Sequence, residues 1–333
     1  MTEIDWCRGI LPQVSRTYAL GIQMLPSPFD AWITTGYLLC RVVDTVEDTP
    51  DIDWDTRRRL FTTFEEALQT GDGSAFLRDV GVFPDNADGE LCRNITRVLK
   101  PMETYPPKVQ DALRKWTTEM SGGMALYARR HAFGDGRTTL FDMGDLDRYC
   151  YFVAGTVGHL LTDIFVHGHP EAEENAAELR THAVGFGLLL QMTNIIKDVT
   201  DDWPRGWCFI PESVCQANGT TSARLLEADQ AAAGIAAIDQ VNLHARHFYG
   251  EAVAYVLALP STAVALRRFC LFPMLLAGRT LELALSNTAV IDPRQVVKVT
   301  RDVVTQTIAQ VEHLLQDEAA LQALTLSRPA DAA

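Results

Sequence analysis

The sequence predicts an all-α protein, and three observations carry that expectation. Apolar residues recur at three- and four-residue spacing along nearly the whole chain, strict alternation bounded by turn residues is hard to find, and two apolar stretches carry polar residues at helical spacing. With 333 residues and 47% hydrophobic content there is material for a large core, and no composition shift or low-complexity linker marks a seam. One domain over 1–333 is therefore expected.

In chain order, a first helix is expected from about Ile4 to Met24, bent by Pro12 and stopped by Pro26 and Pro28. A second begins near Phe29 and carries Tyr37 to Asp48, and a third, amphipathic one runs from Asp51 to Gln69. Gly and Asp make Thr70 to Gly89 a loop enclosing a short helix. Helices then cover Glu90 to Leu99, Pro107 to Arg130, Asp142 to Phe165, and Glu171 to about Val199. Pro204, Gly206 and Pro211 make Asp201 to Pro211 a loop. Three long C-terminal helices follow, over Ala223 to Leu259, Thr262 to Asn287 and Pro293 to Ala323.

The chemistry concentrates in Gly187 to Asp202, GLLLQMTNIIKDVTDD. Gln191, Asn194, Asp198 and Asp202 are spaced by three, four and four, so on a helix they form one polar stripe, each four-residue step climbing about 6 Å. Leu188, Leu189, Leu190, Met192, Ile195 and Ile196 fill the rest of that helix. Carboxylates bedded in apolar surface need a positive partner, and a divalent metal is one. Tyr37, Arg41, Asp44 and Asp48, in GYLLCRVVDTVEDTP, repeat the pattern at four, three and four. Two such stripes facing each other across a cavity would hold a diphosphate through Mg²⁺, which favours a few carboxylates, several waters and a substrate phosphate. A lone Asp-x-x-x-Asp is usually a solvated face; two in this setting are not.

Arg41 either pairs with Asp44 alone or completes the charge balance of such a site together with Arg16, which follows Ser15; Lys197 and Arg205 are further phosphate candidates. Tyr149 to Leu161, YCYFVAGTVGHLL, sets aromatics against Ala154, Gly155 and Gly158. It reads either as core, or as an apolar wall whose ring faces stabilise a carbocation while a tyrosine hydroxyl acts at the diphosphate end. His167 with His169, and His244 with His247, lack a converging Cys or carboxylate cluster and are not expected to bind metal. No glycine-rich phosphate loop occurs.

The net charge of −14 argues against a nucleic-acid partner. Seven scattered cysteines, none in C-x-x-C spacing, read as small buried hydrophobes in a reducing compartment rather than as disulfides or a zinc site. The first residues, MTEIDWCRGI, lack a secretory pattern, and no membrane-spanning helix is expected, which points to a cytoplasmic protein.

SRTYAL, YLLCRVVDTVED, YCYFVAGTVG and QMTNIIKDVTDD, in this order from Ser15 onward, resemble the squalene and phytoene synthases, head-to-head prenyltransferases; the match extends to about Arg301. The resemblance implies the trans-isoprenoid synthase fold, a single large helical bundle around a central cavity. It implies Asp44, Asp48, Asp198 and Asp202 as ligands of Mg²⁺ or Mn²⁺, and Ser15, Arg16, Arg41, Gln191, Asn194 and Arg205 as substrate-binding residues. Tyr149 and Tyr37 are the implied catalytic tyrosines. Within the family, RFCLFPMLLA resembles the squalene synthase segment in which Phe269 and Pro273 line the second half-reaction's cavity. VVKVTRD resembles that enzyme's NADPH-contacting stretch, with Lys298 and Arg301 in matching positions. The implied substrate is farnesyl diphosphate, condensed through presqualene diphosphate to squalene by a monomer working at a membrane lipid surface. Two departures stand out: Thr300 where an arginine is usual, and Trp207 where a phosphate-binding arginine is usual, which Arg205 would replace. A non-reductive dehydrosqualene or phytoene synthase, and a catalytically silent helical scaffold, are the alternatives.

Overall fold

Helix follows helix in the computed structural model, which describes residues 2–15, 17–134 and 138–326. The all-α expectation holds: among the described residues the strands are a single parallel pair, β1 (Thr138–Thr139) and β2 (Trp207–Cys208). The chain divides into two units, Met1–Ala132 with His159–Glu174, and Phe133–Gly158 with Asn175–Ala333.

The first unit opens with α1 (Glu3–Val14), started by a capping box in which Thr2 and Asp5 bind each other's backbone N–H. The helix expected over Ile4 to Met24 is two helices. Pro12 is accommodated inside α1, and the break falls at Ser15, which is extended (φ −152°, ψ 117°). Its Oγ accepts from Tyr18 N at 3.2 Å and so helps start α2 (Thr17–Gln23). Next come α3 (Phe29–Asp48) and α4 (Trp54–Thr70), the latter capped by Asp53 and ended by Gly71 in the left-handed region (φ 76°) that glycine adopts without strain. The expected helix Glu90 to Leu99 is split by Asn94 into α5 (Ala87–Arg93) and α6 (Ile95–Leu99). α7 (Pro107–Ala132) closes this run. Leu38, Leu39 and Val42 of α3, Leu60 and Phe64 of α4, and Leu113 of α7 are buried in its core.

Next in sequence come α8 (Met143–Cys150), a π turn over Tyr151–Gly155 and α9 (Thr156–Gly168), then α10 (Pro170–Glu174). Met143–Gly168 is, by length and composition, apolar enough to cross a membrane, although no spanning helix was expected from the sequence. It is tied into the fold: Trp116 Nε1 donates to Asp163 Oδ2 at 2.8 Å and the Trp116 ring stacks on His159 at 4.4 Å.

The second unit centres on α11 (Ala176–Lys197) packed along α14 (Ala231–Ala258) and α15 (Val264–Ala284). α12 (Val199–Asp202) and α13 (Glu212–Ala217) lie between them in sequence. The loop expected over Asp201 to Pro211 thus begins inside a helical turn, and the helix expected from Ala223 starts only at Ala231, after short 3₁₀ turns. The helix expected over Pro293 to Ala323 is instead α16 (Arg301–Leu314) and α17 (Glu318–Leu326), preceded by turns and chain without regular structure. Thr300 explains the start: its side chain accepts from Val303 N and caps α16. All seven cysteines are buried and free.

Candidate active site

In the first unit α3 runs unbroken to Asp48, its last residue, so Asp44 and Asp48 share the final turns on one face. The sequence of that end, TVED, supplies no cation, and a helix C-terminus is itself the negative end of the macrodipole. Burial pushes the Asp44 carboxyl up to about 7; Arg41 pulls against this while Asp48 and Asp88 add to it. Such a group favours a nearby cation.

Positive charge comes from Arg41 of α3 itself and from Arg57 of α4. Arg41 leans away from Asp44, at 4.0 Å, onto Asp88 of α5, which accepts from Nε at 2.8 Å and Nη2 at 3.1 Å. Of the two readings open in the sequence, simple pairing with Asp44 is therefore not what holds Arg41. Burial disfavours its charge, but Asp88 and Asp44 more than offset that and hold its pKa above the ordinary value. Buried Arg57 of α4 donates to the carbonyls of Glu47 at 2.7 Å and Thr49 at 2.6 Å, closing the end of α3. Burial pushes the Tyr37 hydroxyl up to about 12, against a hydrogen bond with Ser15, and its ring lies 6.0 Å from that of Tyr18. Arg16 falls outside the described residues.

In the second unit the expected stripe is kinked. α11 ends at Lys197, and Asp198 is its C-cap with φ −105° and ψ 11°, outside the α-helical region. The backbone ladder survives the kink, Asp198 N donating to Asn194 O and Asp202 N to Asp198 O, both at 2.9 Å. Gln191, Asn194 and Asp198 are half-buried and Asp202 is buried. Each carboxylate has a cation from its own stretch of chain: Lys197 contacts Asp198, and Arg205 contacts Asp202.

Tyr149, at the end of α8, is buried and stacks on Phe209 at 4.7 Å, which stacks on buried Trp207 at 5.3 Å. The departure at Trp207 thus serves as the far layer of a three-ring stack. The small residues after Tyr149 admit a helix: a Cβ on Gly187 would lie 2.4 Å from Ala154 O, and one on Gly158 2.2 Å from Ala183 O. Phe269 is half-buried on α15, one turn before Pro273. Lys298 and Arg301 are exposed on either side of the Thr300 cap.

Among the described residues no three His, Cys, Asp or Glu side chains form a ready-made metal cage. Mg²⁺ needs none, being bound by one or two carboxylates with waters and phosphate. The Asp44 and Asp48 donors, all oxygen and set at a negative helix end, fit such an ion. Asp88, Arg57 and Phe209 were missed by the sequence reading. Asp88 lies in the Thr70 to Gly89 stretch expected to be loop, Arg57 belongs to a surface-like Arg57-Arg58-Arg59 run, and Phe209 lies in a loop segment without period.

A family model described as squalene/phytoene synthase matches residues 11–302. The squalene synthase of Cyberlindnera jadinii is 28% identical over 87% of this chain and 63% of its own length. A protein named Botryococcus squalene synthase, from Botryococcus braunii, is 31% identical over 90% of this chain and 61% of its own. The chain thus spans a little under two thirds of the length of these curated relatives. Among solved structures, a TcSQS–ligand complex superposes with a TM-score of 0.82 at 25% identity, covering 97% of this chain and 89% of that one. A dehydrosqualene synthase superposes at 0.65 and 19% identity, over 94% and 96%; it shares the fold.

Proposed function

Because the chain belongs to the squalene/phytoene synthase family, we propose that it is a squalene synthase that joins two farnesyl diphosphates head to head through presqualene diphosphate and reduces the product to squalene. The observation that carries this reading is the placing of both Asp-x-x-x-Asp pairs at helix C-terminal ends, in a chain matched over residues 11–302. On this reading both units belong to one synthase domain over 1–333, acting as a monomer.

Asp44 and Asp48 in the first unit, and Asp198 and Asp202 in the second, would hold Mg²⁺ or Mn²⁺, which when bound supplies the Lewis acidity that eases diphosphate departure. Arg41 and Arg205, with Ser15, Arg16, Gln191 and Asn194, bind diphosphate oxygens, the guanidinium forks matching them two at a time. Tyr37 stays protonated at neutral pH and donates its hydroxyl hydrogen. Tyr149 relays the proton lost when the cyclopropane of presqualene diphosphate closes, its hydroxyl oxygen accepting that proton as its own passes to the released diphosphate, and the ring faces of its stack favour the positive charge that develops on the substrate. Phe269 and Pro273 keep water from the second ionisation. Lys298 and Arg301, exposed cations beside a helix start, suit the phosphates of NADPH, which when bound supplies the hydride.

A second reading, the non-reductive dehydrosqualene synthase, is favoured by Thr300, a helix cap where the family usually carries arginine. One incubation separates the two. Farnesyl diphosphate with Mg²⁺ alone is expected to give presqualene diphosphate first, and adding NADPH is expected to shift the product to squalene. Dehydrosqualene with or without NADPH, or turnover of geranylgeranyl diphosphate alone, would overturn the assignment. The proposed location is cytoplasmic, against a membrane lipid surface, supported by Leu20 (59% exposed) and Met24 (60%), four residues apart. Flotation with liposomes tests it, and purely soluble behaviour counts against it.

A further inference from the structure

Arg41 and Asp44 are one turn apart on α3, a spacing at which opposite charges close into an ion pair. They stand at the outer limit of one, 4.0 Å apart, because Asp88 takes the guanidinium through two bonds of 2.8 and 3.1 Å. Two parallel bonds fix the plane of the fork as well as its place. The element carrying Asp88 is built to hold still. Asn86 Oδ1 caps α5 by accepting from Gly89 N at 3.0 Å, and Arg93 donates to the carbonyls of Phe83 and Pro84, both at 3.2 Å. Gly89 lies so close to Pro84 that an added Cβ would fall 2.0 Å from its carbonyl oxygen.

We propose that Asp88 is a positioning residue, which holds the Arg41 guanidinium so that it does not close onto Asp44 and thereby keeps the Asp44 carboxylate available to a divalent cation. The inference rests on the reading of Asp44 as a metal ligand. Without Asp88, the nearest strong acceptor for Arg41 on its own helix face is Asp44, and an ion pair there competes with the metal.

The test is calorimetric titration of the purified full chain with Mg²⁺ alone, without diphosphate so that a phosphate contact of Arg41 plays no part, with thermal melting alongside and no turnover needed. Asp88→Ala is expected to weaken Mg²⁺ binding on the order of tenfold, the scale of one competing ion pair at a half-buried site. Asp88→Asn, which keeps one acceptor and the shape of the α5 start, should give a smaller loss of the same sign and covers the case in which Asp88→Ala does not fold. Arg41→Met in the same background should restore most of the affinity, because the competitor is gone. Unchanged Mg²⁺ binding in a folded Asp88 variant with a lowered melting temperature would make the contact merely structural and overturn the proposal. A loss that persists in full with Arg41→Met would make Asp88 a ligand itself and also overturn it. Mg²⁺ binding absent from the wild type would sink the metal reading of Asp44 and this inference together, an outcome distinct from the other two.

Discussion

The end of α3 and the end of α11 carry the same Asp-x-x-x-Asp spacing and differ in nearly everything around it. α3 is unbroken to its last residue; its own cation, Arg41, is turned aside by Asp88 of α5, and Arg57 reaches its end from α4. α11 kinks at Asp198, and its cations, Lys197 and Arg205, come from the same few residues of chain. One pair is left acid-rich, with a carboxyl pushed up to about 7, while the other is neutralised locally. Identical spacing in a sequence therefore fixes the direction of two side chains and says little about the charge each meets, which long-range contacts decide.

The largest expected effect would show what the two ends share. Asp48→Ala and Asp198→Ala are each expected to lower turnover by at least about 100-fold, the scale of a lost stabiliser of developing charge, with circular dichroism unchanged. A folded variant of either kind with near wild-type turnover would take that end out of the active site.

Next comes the packing behind each end. Gly187→Ala in α11 would drive a Cβ into the backbone oxygen of Ala154, and a loss of roughly 1–3 kcal/mol in denaturant unfolding is expected. Gly36→Ala in α3 meets only the side-chain ends of Leu113 and Leu160, at 3.1 and 3.2 Å, which turn aside more easily. Its cost should be the smaller, and equal costs would remove this difference between the helices.

The smallest effect has opposite signs at the two ends. With metal chelated at pH 8, Asp44→Asn removes a charge that its surroundings oppose and should raise the melting temperature slightly. Asp202→Asn takes the carboxylate from Arg205 and should lower stability, by on the order of 1 kcal/mol given the exposure of Arg205. Shifts of the same sign would mean that the two ends do not differ in charge balance as described.

The residues that face one another within a helix were legible in the sequence, because the three- and four-residue period is local. Helix identity and the ends of α3 followed from it, with Pro28 before and Thr49 after. What escaped was set by single residues whose own geometry breaks the period: Ser15, Asn94 and Asp198 interrupt apolar patterns that run on through them. Asp88 escaped for another reason, since its partner lies 47 residues away and no pattern links them. Thr300 was legible only as a departure; its work as a cap became visible with Val303 beneath it.

The π turn at Tyr151–Gly155 carries a consequence of its own. A π turn holds one residue more than the α-helical turn it replaces, and each helical residue advances the face by about 100°. Deleting one residue there would let α8 and the start of α9 join as ordinary helix at the same mutual angle, whereas tightening the turn to ordinary helix with all its residues kept would not. In the tightened helix Tyr149 would be turned by about that angle relative to Gly158. With Gly158 held against the Ala183 carbonyl, the phenol would leave the ring of Phe209. The wide turn thus absorbs the extra residue and keeps the aim of the tyrosine, acting as a rotary setting for α8.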